Sequence, residues 1–380
     1  MPVARPPFRV LILGGYGQFG ARIAAALARD NGMHLVIGGR RLDAGERLLE
    51  TLRQAGASAT MGACAIDLDA VDFTAQLAVI APQLVIHAAG PFQGRDYRVA
   101  EATLAAGAHY VDLADAREFV TGIEALAAQA RRANRWVISG ASSVPGLSAA
   151  VVEAFASRLS ALESIEVAIS PGNRTDRGVA TTRAILSYVG KPFPILQQGH
   201  RTHAHGWQSL RRLRVAGVGA RWLARCEVPD LSLLPQRYPQ LLNCDFRAGL
   251  ELRRMHFGLW LASWLVRARL IASLEHWSRP LLALSRRWQN AGSDTGLMCV
   301  DMRGIDDNGH RLHLRWTLVA ADGDGPQVPA TAAVVLARKL ARGKLHGAGA
   351  QACLDLFTLD EFLHALRGHA ITTTLEIDPS

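Results

Sequence analysis

The chain has 380 residues, more than one hydrophobic core sustains, so two or more lobes are expected. With 49% apolar and 20% charged residues and no run approaching about 18 consecutive apolar residues, the composition excludes a disordered chain and a membrane-spanning helix. The formal charge of +9 is carried unevenly: residues 201–290 hold 15 basic residues against 5 acidic ones, together with six of the eight tryptophans. Residues 1–8 contain three prolines and no apolar stretch, so no secretory signal is expected and the cytoplasm is the expected compartment. Five scattered cysteines without a Cys-x-x-Cys pair argue against a disulfide scaffold or a structural zinc.

In chain order, the apolar run FRVLILGG (8–15) precedes an Ala-rich helical stretch, Gln18 to Arg29, closed by Asp30-Asn31-Gly32. The pattern returns at HLVIGG (34–39), LVIHAAG (84–90), YVDLA (110–114) and WVISG (136–140). Helices are expected near 43–55, 94–106, 116–133 and 145–158. Short buried strands alternating with helices predict an α/β fold with a parallel, doubly wound Rossmann sheet. Beyond Arg158 the rhythm changes. Strands are expected at 164–170, 296–304 and 311–320, the last two joined by the turn Asp306-Asp307-Asn308-Gly309, and helices return at 331–342 and 358–367. The expected division is a nucleotide domain at 1–145, an inserted α+β substrate and dimerisation domain at 146–325, and a C-terminal return at 326–380 that packs on the first domain.

Gly15-Tyr16-Gly17-Gln18-Phe19-Gly20 reads G-x-G-x-x-G between a strand and a helix, the context that makes this pattern a dinucleotide site. Gly15 is expected to form the tight turn, Gly17 to admit a pyrophosphate and Gly20 to let helix and strand pack. Gly14, Tyr16, Gln18 and Phe19 complete the expected phosphate cradle. Where an NAD site usually carries an acid at the end of the second strand, this chain has Gly38-Gly39-Arg40-Arg41. Two guanidiniums and no carboxylate favour NADP(H), one arginine for the 2′-phosphate and one for the adenine face, against the bland reading of solvated helix-start residues. Asp67 is placed either at the adenine edge or as an ordinary loop carboxylate.

In an open α/β sheet the ligand lies beyond the carboxyl ends of the strands. Ala88, Ala89, Gly90 and Pro91 are small enough for the dinucleotide to pass over. Asp112, Asp115 and Ser143 are the candidate catalytic residues of the next two loops, with His87 read as a packed core histidine. Asp115-Ala-Arg-Glu118 also fits a helix capping box, and Ser143 also fits the cap of a helix at Pro145.

These stretches resemble the saccharopine dehydrogenase-like family of NAD(P)-dependent oxidoreductases. The resemblance rests on LILGGYGQFG (11–20), GGRR (38–41), HAAGPFQG (87–94), HYVDLAD (109–115) and SSVPGLSAAVV (142–152), and returns more faintly over 300–366. It implies a Rossmann domain re-entered by the end of the chain, an inserted domain for substrate binding and dimerisation, and NADP(H) or NAD(H). The expected activity is hydride transfer to or from a C=N or activated C=C bond of a small or hydrophobic metabolite. The alternative is a non-catalytic NADP-binding regulator or scaffold.

For a polar amino-acid imine, Arg174, Arg177 or Arg183 would line the pocket, with Asp176 a weak partner for an amine. For a hydrophobic acyl group, Trp260 and Trp264 would. Met255 to Trp277 is a basic, amphipathic helical stretch. Within 253–290, core or dimer packing is the first reading, a greasy pocket the second and peripheral membrane contact the third. A homodimer is expected and nucleic acid is not. His200, His203 and His205 lie in an expected loop without the acids or thiols of a metal site, and no metal is expected.

Overall fold

In a computed structural model, residues 6–176 and 178–379 are described. They form two compact units, residues 6–146 with 327–357, and residues 147–326 with 358–379.

The first unit contains β1 (Phe8–Leu13), β2 (Met33–Gly39), β3 (Thr60–Ala65), β4 (Leu84–His87), β5 (His109–Asp112) and β6 (Trp136–Ser139). Every strand pairing in this sheet is parallel. The core strands Val10–Leu13, Leu84–Ile86 and Val137–Ile138 are fully buried, as an uninterrupted apolar run demands when helices cover both faces. The helix Gly20–Leu27 buries Gly20, Ile23, Ala24 and Leu27, one face at helical spacing, and leaves Ala25 exposed on the other. The expected helix at 116–133 is broken into Arg117–Gly122 and Ala127–Ala133 by a short 3-10 turn. After the second unit the chain returns as the helix Gln327–Ala341, which is apolar around most of its circumference and correspondingly buried. Arg338 on that helix anchors to Asp30 (2.8 Å), in the turn that leads from the first helix to β2.

The second unit holds β7 (Ala161–Ser170), β8 (Pro192–Gln197), β9 (His200–His205), β10 (Arg211–Val215), β11 (Gly219–Arg225), β12 (Asn243–Ala248), β13 (Gly296–Ile305) and β14 (Arg311–Ala320). In the first unit, β15 (Gly349–Ala352) adds to β6, giving the order β15-β6-β5-β4-β1-β2-β3. In the second, β16 (Ile371–Pro379) completes the order β10-β11-β12-β7-β13-β14-β16, with the β8–β9 hairpin attached to β12. The expectation that all of 326–380 packs on the nucleotide domain is therefore corrected: β16 pairs along the whole of β14.

Charges cross this second sheet in register. Asp245 of β12 faces Glu166 of β7, Glu166 faces Asp301 of β13, and Asp301 faces Arg315 of β14. Arg225 and Arg247 each lie 2.9 Å from Asp245, Arg315 and His313 each lie 2.7 Å from Asp301, and Arg211 pairs with Glu166. Desolvated carboxylates side by side persist only when cations and hydrogen-bond donors compensate them, which these side chains do.

Two local expectations change. His200–His205 is a strand, so His200 faces away from His203 and His205 and the three imidazoles do not converge. The helix expected to Trp277 ends at Arg267. Arg269 takes a left-handed conformation (φ +60°), with Leu270 N–H bonding Leu265 O (2.9 Å) and Arg269 N–H bonding Val266 O (2.9 Å), a Schellman stop.

Candidate functional site

The glycine turn follows β1 and lies beside the loop that leaves β4. Gly14, not Gly15, carries the left-handed conformation (φ +73°), correcting the expected turn residue. A methyl group on Gly14 would lie 3.0 Å from the Ala89 side chain, so the β1 and β4 loops touch where the strand order reverses. A side chain at Gly20 would run into the Gly14 carbonyl, so the helix start rests on the turn itself. The helix Gly20–Leu27 starts directly from this turn, with Ala21 N–H bonding Gly17 O (2.9 Å), and its N-terminal dipole end favours an anion such as a pyrophosphate. Ala88 N–H bonds Leu13 O (2.9 Å) and fixes the loop Ala88, Ala89, Gly90, Pro91 against β1; the Gly90–Pro91 peptide is cis.

The two arginines divide. Arg41 caps the start of the helix Leu42–Gln54, its N–H donates to the Tyr16 hydroxyl (3.0 Å), and its guanidinium lies 5.5 Å from the Tyr16 ring centre. Tyr16 is in turn packed on Gly39, where a methyl group would overlap its ring. Arg40 is exposed directly after β2. Asp67, also exposed, accepts from Asp69 N–H (3.2 Å) in a turn after β3.

Beyond β4, β5 and β6 the expected three loops are hydrogen-bonded side by side. Asp112 is fully buried, and its Oδ1 accepts from Ala114 N–H (2.9 Å), Gly140 N–H (2.8 Å) and Ser139 Oγ (2.9 Å), while its backbone carbonyl accepts from Ala141 N–H (2.7 Å). The backbone ladder between β5 and β6 stops at Val111–Ile138, and the Asp112 side chain continues it. The carboxylate is thus an anchor for two strand ends, hydrogen-bonded to neighbouring backbone. Burial pushes its carboxyl up to about 6, against the opposing pull of Gly140, Ala114, Ser139 and Tyr110. Tyr110 stands 2.9 Å from His87 Nδ1, and burial lowers that imidazole to about 4, so His87 is a neutral packed histidine.

Asp115 does not form the expected cap: the helix Arg117–Gly122 starts from Ala116 without a side-chain cap bond. Its Oδ1 accepts instead from Gln93 Nε2 (3.1 Å), which links the β4 and β5 loops, and burial raises its carboxyl above the ordinary value. Ser143 opens the irregular turn Ser143–Leu147, which contains a cis Val144–Pro145 peptide, and the helix behind it begins only at Ser148. Gln93 and Cys353 were not foreseen. Gln93 follows the cis turn with no pattern to mark it, and Cys353, whose N–H bonds Ser139 O (2.8 Å), arrives from a distant segment.

Arg183 is ion-paired with Glu275 (2.7 Å), Arg174 is exposed, and Arg177 lies outside the described residues. Asp176 borders a small cavity with Asn173, Thr175 and Arg286. Trp264 and Leu261 stand outward on their helix. Among the described residues no three His, Cys, Asp or Glu side chains are grouped to hold a metal, and no helix is long and apolar enough to cross a membrane.

Residues 10–141 match the family model of the saccharopine dehydrogenase NADP binding domain. Among solved structures, the chain is similar to apo saccharopine dehydrogenase (L-Glu forming) from Saccharomyces cerevisiae, with a TM-score of 0.69, 13% identity and coverage of 97% of this chain and 100% of that one. An amine dehydrogenase from Mycobacterium smegmatis matches with a TM-score of 0.47 and 10% identity over 94% of this chain and 96% of that one. No curated protein matches in sequence. A Rossmann sheet with this glycine turn and a matching NADP binding domain defines an NADP-dependent oxidoreductase. Within that class, residues 10–141 carry the saccharopine dehydrogenase type of NADP binding domain, and the fold of the chain is similar to that of the yeast enzyme.

Proposed function

We propose that the protein moves hydride between NADP(H) and an electrophilic carbon of a C=N or activated C=C bond. The observation that carries the cofactor half is the turn from Gly14 to Gly20 with Arg40 exposed at the end of β2 and no acid in its place. Gly17, Gln18, Phe19 and the helix start hold the pyrophosphate, Arg40 takes the 2′-phosphate, and Arg41 with Tyr16 forms the wall beneath the adenine. Ala88 to Pro91 let the nicotinamide half lie close to the backbone. When bound, the cofactor supplies the hydride at its nicotinamide C4.

Asp112 is a positioning residue in this reading: by holding Ser139, Gly140 and Ala141 it sets the loop that carries Ser143. Asp115, with a carboxyl raised by burial and freed from capping, is the group proposed to exchange a proton with substrate, and Ser143 the one proposed to hydrogen-bond it.

The test is a fluorescence titration with NADPH and NADH. Arg40→Asp is expected to weaken NADPH about 10- to 100-fold, the loss of a charge-assisted contact, while NADH holds or gains. Arg41→Asp is expected to cost less, because Arg41 is engaged with Tyr16. Unchanged NADPH binding in Arg40→Asp would overturn the 2′-phosphate assignment. Turnover of a lysine-derived imine or a short enoyl thioester by the NADPH complex separates the two bond types, and binding without turnover of either favours a regulator.

A further inference from the structure

The helix Arg253–Arg267 is built inside out. Its fully buried positions include His256 and Ser263, whereas Leu261 (60% exposed), Trp264 (44%) and Leu265 (42%) face water. The sequence after it continues the theme with Leu270 (74%), Trp277 (57%) and Leu284 (43%). These six are half of the twelve large apolar side chains exposed among the described residues, and they fall within 24 consecutive positions. Scattered exposed leucines are ordinary, but such a concentration marks a contact surface.

The same stretch, 253–287, carries seven arginines, all exposed, and a single acid, Glu275, which is already paired with Arg183. Arg254 lies 4.6 Å over the Trp288 ring and Arg267 lies 5.0 Å over Trp264, so guanidiniums and indoles are interleaved at the water boundary. Leucine tips for the acyl layer, indoles for the headgroup level and arginines for phosphates are the chemistry of an anionic lipid surface. A second copy fits less well. A two-fold contact through this stretch would set seven arginines against seven others.

We propose that residues 253–287 seat the protein peripherally on an anionic membrane, with Leu261, Trp264 and Leu265 entering the headgroup boundary. The reading is independent of the NADP site, which lies in the other unit. The experiment is co-sedimentation of the full-length protein with vesicles of phosphatidylcholine alone and of phosphatidylcholine mixed with phosphatidylglycerol, at low and high salt. Partition onto the mixed vesicles is expected to exceed that onto phosphatidylcholine by about tenfold or more, and to fall with salt. Leu261→Ser with Leu265→Ser is expected to lower it about tenfold while NADPH binding is kept, and Arg253→Gln with Arg269→Gln is expected to weaken binding to the mixed vesicles about tenfold at low salt and to reduce the salt dependence without abolishing it, five arginines remaining. Equal or negligible partition onto both vesicles would overturn the proposal. So would a concentration-dependent dimer in sedimentation velocity that the leucine variant dissolves, since the face would then belong to a second copy.

Discussion

The helices Gly20–Leu27 and Arg253–Arg267 carry apolar residues at the same spacing and use them in opposite ways. The first turns Ile23, Ala24 and Leu27 into the sheet; the second turns Leu261 and Leu265 outward and keeps His256 and Ser263 inside. Periodicity tells that a helix has an apolar stripe. It does not tell which side of the stripe is the protein. In the nucleotide unit the neighbours answer that question, because strands on either side in sequence must be covered. In the second unit no such alternation exists.

The contrast can be broken most forcefully from the first helix. Ile23→Ala removes a fully buried side chain and is expected to cost about 2–5 kcal/mol in denaturant unfolding. A loss within noise would mean that this helix, too, is loosely seated.

A middle-sized effect concerns pH. The Asp112 carboxyl titrates near 6 in the folded protein, above its unfolded value, so its contribution is full in acid and is lost as pH rises through about 6. His87 and His109, both lowered to about 4 chiefly by burial, act oppositely: the unfolded chain takes up protons first, so their contribution grows as pH rises from about 4 towards 6.5. Asp112→Asn removes the falling component, and the gain in melting temperature from pH 5 to pH 7 is expected to widen by about 2–4 °C. An unchanged gap would show that burial does not raise this carboxyl in the fold.

The smallest effect belongs to the second helix. Leu261→Ser is expected to leave unfolding within about 0.5 kcal/mol of the parent, since most of its side chain already faces water. A large loss would return this face to the core.

Most of the nucleotide unit was legible because β1, β2 and β4 to β6 are short apolar runs, each ended by glycine or a small polar residue. Which glycine takes the left-handed turn was not legible, since that depends on Ala89, 75 positions along the chain from Gly14. Arg40 and Arg41 could be named but not divided, because the division rests on Tyr16 reaching across to Gly39. Asp115 looked like a cap, and its actual partner, Gln93, is remote in sequence. In the second unit β8 to β12 were missed, β10 to β12 for a physical reason: Arg211, Arg225, Asp245 and Arg247 occupy strand positions that read as solvated, yet on the sheet Arg225 and Arg247 pair with Asp245, and Arg211 pairs with Glu166. β16 was missed because Thr372 to Thr374 are exposed and give no alternation.

The route of the chain sets an order on its biosynthesis. β14 emerges from the ribosome with one edge paired to β13, but the strand that covers its other edge, β16, is made only after the helix Gln327–Ala341 and β15 have been delivered to the nucleotide unit. Throughout that interval Arg311–Ala320 presents one open strand edge, the kind of edge on which nascent chains aggregate. The side chains that guard it, His313 and Arg315, are polar ones already hydrogen-bonded to Asp301 across the sheet.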